Sequence, residues 1–378
     1  MIYRVFAGLL VMSLALTARA QLPFDVQEIA SFDQPWSVAF MPDGRMLVSE
    51  KKGSLLVVDQ EGNKLPSVGG IPDVYYGGQG GLGDVIVHPD FEKNGFVYIS
   101  YAESGNDGTR GAAVARGVLD TEGRRPMLND VEVIWRQYPK VLGRGHYGHR
   151  LLIDDDGYLW ITSGDRQKFT PAQDMQANIG KILRLNDDGS VPEDNPFVRY
   201  READPLVDDG GVYEQFWAIG VRNPLGIAQA PDGRIWEVEM GPLNGDELNL
   251  ITRGANYGYP LVSNGKHYDG REIPNHDTRP EFDAPKAWWD PTIAPADLMI
   301  YRGKAFKTWR GDAFIAGLAS QAIIHVELSG DGSAEELTRY PMGQRIRSLE
   351  EGPDGAIWVL EDESRGEGGR LLKLTPAS

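Results

Sequence analysis

The sequence predicts an all-β protein, a six-bladed β-propeller in which each blade is a four-stranded antiparallel sheet. The chain has 46 glycines and 24 prolines among its 378 residues and few stretches of helical periodicity, which favours a turn-rich β fold. A short unit also recurs six times, a turn containing Asp and Gly followed by a run of apolar residues. Spacings of roughly 60 residues, with uneven loops, are typical of propeller blades.

The repeated unit has a simple physical basis. Asp and Gly accept the backbone geometry of a tight turn, and the β-branched and aromatic run that follows suits a buried strand. The six copies are PDGRMLVSEKKGSLLVV from Pro42, HPDFEKNGFVYISYA from His88, DDDGYLWITSGD from Asp154, PDGRIWEVEMG from Pro231, WRGDAFIAGLASQAIIHVEL from Trp309 and GPDGAIWVLED from Gly352. A β-sandwich is the alternative, but it does not repeat one turn-plus-strand unit in this way. We expect residues 21–378 to form one domain, with residues 22–31 closing the ring against the last blade.

The first twenty residues have the pattern of a secretory signal peptide. An early cation is followed by an apolar run from Val5 to Leu16 and by small residues up to Ala20. The run is shorter than the about 20 residues that a membrane helix needs, so a retained anchor is the less favoured alternative. We therefore expect a periplasmic or secreted protein with no membrane span in its mature form. Because the chain has no cysteine, its stability must come from a large core or from bound metal.

The charge balance excludes one class of partner. The formal net charge is −17, from 38 basic and 55 acidic residues. Nucleic-acid binding depends on clustered Lys and Arg, so this balance disfavours it. An acidic chain is compatible with a neutral ligand such as a sugar and with bound divalent cations.

His146 and Asp165 are the first candidate catalytic pair. His146 lies in a glycine-flanked loop before a predicted strand, and Asp165 follows the strand predicted to pair with it. Both should therefore reach one face of the propeller, and a histidine oriented by a carboxylate is a common general base near neutral pH. Among the other histidines, His88 and His325 fit structural positions. His149, three residues after His146, is expected to point to the opposite side of the strand, and its role stays open.

Three further segments carry polar groups suited to a ligand. Gln79 lies in a glycine-rich loop, where the backbone can approach a ligand closely. Arg222 and Asn223 precede a blade strand, and an arginine there could stabilise developing negative charge. Arg345 and Arg347 are two residues apart on a strand, so both should face one side and favour an anion. The alternatives are a mobile blade connection around Gln79 and salt bridges for the arginines.

The segment from 239 to 260 is a candidate calcium region. Gly241 and Pro242 are expected to expose carbonyls in a loop, while Asp246 and Glu247 supply carboxylates. Mixed oxygen ligands of this kind suit Ca²⁺. The spacing differs from that of an EF-hand, so the residues indicate a calcium site only together with other evidence.

Taken in order, these motifs resemble the soluble quinoprotein sugar dehydrogenases, the glucose/sorbosone dehydrogenase family. The resemblance runs from Pro35 to Pro376 and is carried by GQGGLGDVIVHPDF, HYGHRL with the following SGD, RNPLG, MGPLNGDELN with NYGYP, and GQRIR. Each motif alone is weak evidence for the family. Five motifs in the same order on six propeller units make a specific signal.

The resemblance implies pyrroloquinoline quinone (PQQ) over the channel mouth and oxidation of an aldose to its lactone by hydride transfer. An external quinone or cytochrome would then take the electrons. His146 matches the family's base, and Asp165 matches the residue that orients and charges it, with Arg222 assisting catalysis. The residues that match cofactor-binding groups are Gln79, Arg222, Asn223, Thr292, Arg345 and Arg347. The matching Ca²⁺ ligands are the carbonyls of Gly241 and Pro242 at an ion touching the cofactor, and Glu247 with the Tyr257 carbonyl at a second, structural ion.

The sequence departs from the family pattern at two positions. Ala319 stands where glucose-specific members have a cofactor-binding lysine, and His149 stands where a small residue is common. Two other functions stay open at this level. A calcium-dependent lactonase on the same architecture would not need the Arg345 and Arg347 pair, and a non-catalytic binding propeller would not need His146.

Overall fold

The six repeated turns join the first two strands of six separate antiparallel sheets. This arrangement is seen in a computed structural model that describes residues 22–199, 211–363 and 368–377. The predicted signal segment, residues 1–20, lies outside the described residues. Within them, no helix is long and apolar enough to cross a membrane.

The sheets follow one another along the chain. The first strand, β1 (Phe24–Ser31), precedes blade one, which consists of β2 (Pro35–Phe40), β3 (Met46–Glu50) and β4 (Ser54–Val58). Blade two contains β5 (Leu82–Val87), the short helix α1 (Phe91–Asn94), β6 (Phe96–Ser104), β7 (Arg110–Asp120) and β8 (Met127–Arg136). Blade three contains β9 (Gly148–Ile153), β10 (Leu159–Ser163), β11 (Lys181–Leu185) and β12 (Phe216–Ile219).

The last three blades repeat the same order. Blade four contains β13 (Pro224–Gln229), β14 (Ile235–Glu239), β15 (Asp246–Ile251) and β16 (Ala287–Trp289). Blade five contains β17 (Pro295–Ile300), β18 (Ala313–Gly317), β19 (Ala322–Leu328) and β20 (Ala334–Pro341). Blade six contains β21 (Ile346–Glu351), β22 (Ile357–Glu361) and β23 (Arg370–Pro376), completed by β1.

The first strands of the blades form the inner ring of a propeller. β2, β5, β9, β13, β17 and β21 each contact the next, and β21 contacts β2. The expected closing strand is also confirmed, because β1 pairs antiparallel with β23 from Phe24 opposite Pro376 to Ser31 opposite Arg370. The six-bladed propeller predicted from the repeats is therefore confirmed.

Blade one differs from the prediction of four strands, since its sheet has three. The chain after β4 still runs beside it, and the amides of Leu65 and Val68 donate to the carbonyls of Val57 and Leu55. Pro66 lies between those two donors and has no amide hydrogen of its own. The edge therefore keeps scattered hydrogen bonds without the ladder of a regular fourth strand.

A β-bulge recurs at the same place in all six blades. The register between the first and second strands shifts near the start of the first strand in every sheet. A bulge adds one residue to a strand and re-aims the side chains beside it. Trp36, His149, Leu225 and Arg347 lie at four of these shifts, and all four line one cavity at the channel mouth.

The hydrophobic core is divided between neighbouring blades. Residues of blades one and two, such as Leu47, Val57, Val85 and Ile99, pack in one buried cluster. Similar clusters join the other adjacent pairs and contain most of the fully buried aromatic side chains. Packing on both sides of each sheet holds the strand ends at the channel mouth in fixed positions.

Candidate active site

A cavity of about 680 Å³ lies at one mouth of the channel and is lined by residues of all six blades. Its volume is in the range of small-molecule sites. The lining residues have similar positions in their blades. They lie near the start of the first strand of a blade or just after its second strand. The lining residues that carry polar or aromatic groups are Gln34, Trp36, Lys51, Tyr76, Gln79, Tyr147, His149, Arg345, Arg347, Asp362 and Glu363.

The predicted pair of His146 and Asp165 lies beside this cavity. His146 precedes β9 and Asp165 follows β10, and the distance from Nδ1 of His146 to Oδ1 of Asp165 is 2.7 Å. His146 is 6% exposed and Asp165 is fully buried. Because a carboxylate only accepts hydrogen bonds, Nδ1 carries the proton and Nε2 presents its lone pair. Nε2 has no hydrogen-bond partner among the described residues.

Burial sets the protonation state of His146. Removal from water lowers its pKa below the ordinary value, and the neighbouring Arg222 charge lowers it further. The hydrogen bond to Asp165 acts in the opposite direction without overcoming burial. The imidazole is therefore neutral near pH 7, and the expectation that Asp165 keeps this histidine charged is not supported by the pKa direction. A neutral imidazole is the form that a general base requires.

The backbone around the pair is strained. Outside glycine, positive φ angles occur at His146 (50°), His149 (61°), Arg166 (54°), Gln167 (59°) and Phe169 (62°). Such conformations cost of order 1–3 kcal/mol each and cluster at functional sites. Glycine makes the close approach of the two loops possible, since a Cβ on Gly164 would lie 2.3 Å from the carbonyl oxygen of His146.

The variant Gly164→Ala tests how tightly this loop contact holds the histidine. The added methyl group must displace the His146 backbone, so we expect kcat to fall by at least about tenfold, because small misplacements of a catalytic group are costly. A matched control is Gly330→Ala, because Gly330, like Gly164, has no positive φ and its Cβ would meet nothing within 4 Å. Equal activity in the Gly164 variant and wild type would show that the loop contact does not position His146.

Gln79, Arg222 and Asn223 surround the pair. The side-chain oxygen of Gln79 accepts the His146 amide hydrogen at 2.6 Å. Arg222 is 4% exposed, and its Nη1 donates to the carbonyls of Met240 and Gly241. Both side-chain atoms of the buried Asn223 amide, and Nε of Arg222, lack hydrogen-bond partners within the described residues. Buried polar groups are normally paired, so these atoms indicate a place for a polar ligand.

Arg345 and Arg347 meet at one carboxylate. Nε of Arg345 lies 2.8 Å from Oδ2 of Asp362, and Nη2 of Arg347 lies 2.7 Å from Oδ1 of the same residue. The two arginines line the cavity together, as their spacing predicts, and the salt-bridge alternative also holds in part. The two guanidiniums share Asp362, and Glu363 is a second carboxylate in the lining of the cavity.

Three of the predicted cofactor residues, Arg222, Asn223 and Thr292, do not line the cavity of about 680 Å³. The Thr292 hydroxyl donates to Oδ2 of Asp246 at 2.5 Å. Asp246 also accepts the amide hydrogens of Gly241, Ile293 and Ala294. Thr292 and Asp246 thus fix the loop that brings Ala294 to the cavity, and contact of Thr292 with a cofactor stays a prediction.

All four predicted metal ligands border one small enclosed space. Gly241, Pro242, Glu247 and Tyr257 line a cavity of about 10 Å³, together with Arg222 and Glu239. A space of this size holds about one water molecule. The sequence assigned these ligands to two ions, and the fold brings them around one volume.

Buried carboxylates lie at or beside this small cavity, and one of them, Glu247, lies 3.6 Å from Nε2 of His276. Glu237, Glu239 and Glu247 are at most 5% exposed, and none forms an ion pair with Lys or Arg in the described part of the chain. Burial raises the pKa of both Glu237 and Glu239 well above the ordinary value, and repulsion from Glu239 on Glu237 and from Glu247 on Glu239 adds to it. Unpaired buried charge is costly, and a bound divalent cation would offset that cost. The donor set therefore fits Ca²⁺.

Two features restrict how a Ca²⁺ ion could be coordinated in this cavity. No group of three or more His, Cys, Asp or Glu side chains in the described residues is arranged to hold a metal ion, so carbonyl oxygens must supply ligands. The Gly241 carbonyl also accepts a hydrogen bond from Arg222. A cation there would share that carbonyl with the guanidinium or displace it.

The contacts of three other histidines show their roles. His88 and His325 have the structural roles predicted, since His88 accepts the Asp90 amide hydrogen and His325 lies 2.7 Å from Asp312. The expectation that His149 points away is wrong, because the bulge at the start of β9 turns it to the cavity. It stacks on Trp36 with ring centroids 5.1 Å apart, and burial lowers its pKa to about 3.

Sequence reasoning missed several residues of the site. Asp362 and Lys51 each follow the second strand of a blade, the position that Asp165 occupies in blade three. Their shared place in the repeat was a signal that alignment of the six units would have found. Trp36 carried no such signal, because its position depends on a bulge. Ala319, predicted to stand at the lysine position of glucose-specific members, is exposed, and its neighbour Leu318 lines the cavity.

The comparisons with known proteins agree with this geometry. A sequence profile described as Glucose / Sorbosone dehydrogenase matches residues 32–373. The chain belongs to the glucose/sorbosone dehydrogenase family. The resemblance seen in the motifs is therefore confirmed, and Arg345 and Arg347 lie within the part that matches the family.

Individual family members cover nearly the whole chain. Aldose sugar dehydrogenase YliI of Escherichia coli strain K12 is 37% identical over 353 residues, 91% of this chain and 90% of the relative. The crystal structure of the soluble E. coli aldose sugar dehydrogenase in its apo form has a TM-score of 0.84 at 35% identity, covering 94% of this chain and 100% of that one. The PQQ-bound aldose sugar dehydrogenase of Streptomyces coelicolor has a TM-score of 0.74 at 25% identity, covering 93% and 98%.

Proposed function

We propose that this protein is a PQQ-dependent sugar dehydrogenase that oxidises the anomeric CH–OH group of aldoses to lactones. The observation that carries the proposal is the neutral, carboxylate-bonded His146 beside a cavity lined by two arginines. Family membership and the PQQ-bound relative support the cofactor and the sugar as substrate class. Electrons would leave to an external acceptor.

His146 is the proposed general base. Its Nε2 accepts the proton of the anomeric hydroxyl while Asp165 keeps Nδ1 protonated and the ring in place. The anomeric carbon loses a hydride as its C–O bond becomes the C=O of the lactone. When bound, PQQ would supply the two-electron oxidant that this oxidation requires. Arg222, buried next to His146, stabilises negative charge that develops during the transfer.

The cavity wall supplies groups suited to the cofactor. Arg345 and Arg347 would hold carboxylates, which arginine binds through paired hydrogen bonds. Gln79, with its amide nitrogen still available, and the unpaired Asn223 amide would bond polar edges of the rings. Gly241, Pro242, Glu247 and Tyr257 would hold Ca²⁺, which stabilises the buried carboxylates and adds positive charge next to the cofactor.

The test is reconstitution of the purified apoprotein. We expect dye reduction with a panel of aldoses only after PQQ and Ca²⁺ are both added, and loss of activity when a chelator removes the ion. Mg²⁺ is the matched control, because it prefers a tight octahedral shell that this carbonyl-rich site does not offer. Absence of aldose-dependent dye reduction with any sugar in the presence of bound PQQ would reject the proposal.

The pH profile gives an independent check of the base. Because burial lowers the pKa of His146 below 6.5, the active neutral form is lost only as the pH falls through that lowered value. We expect kcat/KM to rise with pH in the acid range, with a midpoint below 6.5, and to level off near neutral pH. Circular dichroism over the same range controls for unfolding. A midpoint above 6.5 would contradict the assignment.

A further inference from the structure

Lys51 is a cavity residue with no role in the mechanism above. It directly follows β3, and its backbone is held from two sides. Its amide donates to the Gln34 carbonyl, and its own carbonyl accepts from the Leu82 amide. The first bond lies within blade one and the second joins blade one to blade two, so the backbone position of Lys51 is fixed without its side chain.

The ammonium group of Lys51 is left without a carboxylate. Nζ donates to the carbonyl of Gly78 at 3.1 Å, next to Gln79, and forms no ion pair in the described residues. The adjacent Lys52 differs, since its Nζ lies 2.6 Å from Asp33. Burial and the charge of Arg347 lower the pKa of Lys51, and the charge of Asp362 acts in the opposite direction, so Lys51 lies close to this ion pair without bonding to it.

The cavity wall gains its excess positive charge from this residue. Among the described lining residues the cations are Lys51, Arg345 and Arg347, and the anions are Asp362 and Glu363. Without Lys51 the two arginines would be balanced by the two carboxylates. An unpaired, half-buried cation beside two arginines favours an anionic ligand.

We propose that Lys51 binds a carboxylate of the quinone cofactor. Blade one would thus contribute a positively charged side chain to the cofactor site. This inference rests on the proposed function, in which a tricarboxylate quinone occupies the cavity. The two arginines share Asp362, whereas Lys51 is free to pair with the ligand. Lys51 is therefore a binding residue, and it takes no proton in the reaction.

The test is PQQ binding to the full-length apoprotein in Ca²⁺, measured by equilibrium dialysis and by quenching of tryptophan fluorescence. For Lys51→Met we expect the Kd to rise at least about tenfold, the effect of losing one charge-assisted hydrogen bond. Lys51→Arg keeps the charge and should recover most of the affinity. Lys52→Met, which removes the neighbouring exposed lysine, should bind PQQ like wild type.

The salt dependence of PQQ binding distinguishes an ion pair between Lys51 and the cofactor from a structural role of the hydrogen bond between Lys51 and Gly78. The difference between wild type and Lys51→Met should shrink as NaCl rises from about 0.02 M to about 1 M, because screening weakens an ion pair. A difference that stays constant with salt, or equal affinity of the two proteins, would overturn the inference while leaving the proposed function intact. If the wild-type protein binds no PQQ, the proposed function itself is rejected.

Discussion

Replacing His146 with alanine is expected to lower kcat by about 10²- to 10⁴-fold, the usual contribution of a positioned general base. The physical reason is specific to Nε2, which is the only ring nitrogen free to accept a proton once Nδ1 bonds to Asp165. Cofactor binding should change little, since the imidazole is not needed to hold carboxylates. The measurement is steady-state dye reduction at saturating aldose, with PQQ occupancy determined separately.

A second histidine provides the control for this variant. His88 lies in the turn between β5 and β6, far along the chain from the catalytic loop, and bonds to the Asp90 amide. His88→Ala should keep wild-type kcat. Wild-type kcat in the His146 variant at equal PQQ occupancy would remove the base from the mechanism.

Asp165→Asn is expected to have an effect of similar size, a loss in kcat of about 10²- to 10⁴-fold, by changing the tautomer of His146. An asparagine amide can donate to Nδ1, which then gives up its proton and leaves Nε2 protonated. The substitution keeps the side-chain shape, and the Phe169 amide can still donate to its oxygen, but the Gln167 amide then faces the new amide nitrogen and loses its acceptor. We therefore expect the large loss in kcat together with a modest fall in the melting temperature.

The chain contains a matched control for this substitution. Asp312 lies 2.7 Å from Nε2 of His325 in blade five, a histidine–carboxylate pair packed among aromatic rings. Asp312→Asn should alter stability and leave kcat near the wild-type value. If Asp165→Asn and Asp312→Asn reduced kcat equally, the effect of Asp165 would be structural and the tautomer argument would fail.

The fold could be predicted almost completely because it is repeated. Each turn-plus-strand unit specifies the same hairpin, and six copies fix the number of blades. The exception in blade one came from Pro66, which removes a single donor from an edge. Its neighbours Leu65 and Val68 still bond to β4, so only pairing in three dimensions distinguishes that segment from a strand.

The candidate site was predicted where it depends on blade topology. His146 and Asp165 meet because antiparallel neighbours bring the start of β9 and the end of β10 together. His149 was assigned wrongly because strict alternation does not hold across a bulge, and a bulge leaves no clear mark in the sequence. The pairing of Arg347 with Asp362 joins two strands of blade six, and no local pattern distinguished that aspartate from other acidic residues.

The most direct test is a single turnover of the PQQ-loaded protein with an aldose, without oxygen or external acceptor. We predict that the absorption spectrum of the bound quinone converts to its reduced form and that one lactone forms per site. In His146→Ala with equal PQQ content, the conversion should be at least about 100-fold slower. A spectrum unchanged by every aldose, or the same rate in both proteins, would contradict a sugar dehydrogenase that uses His146 as its base.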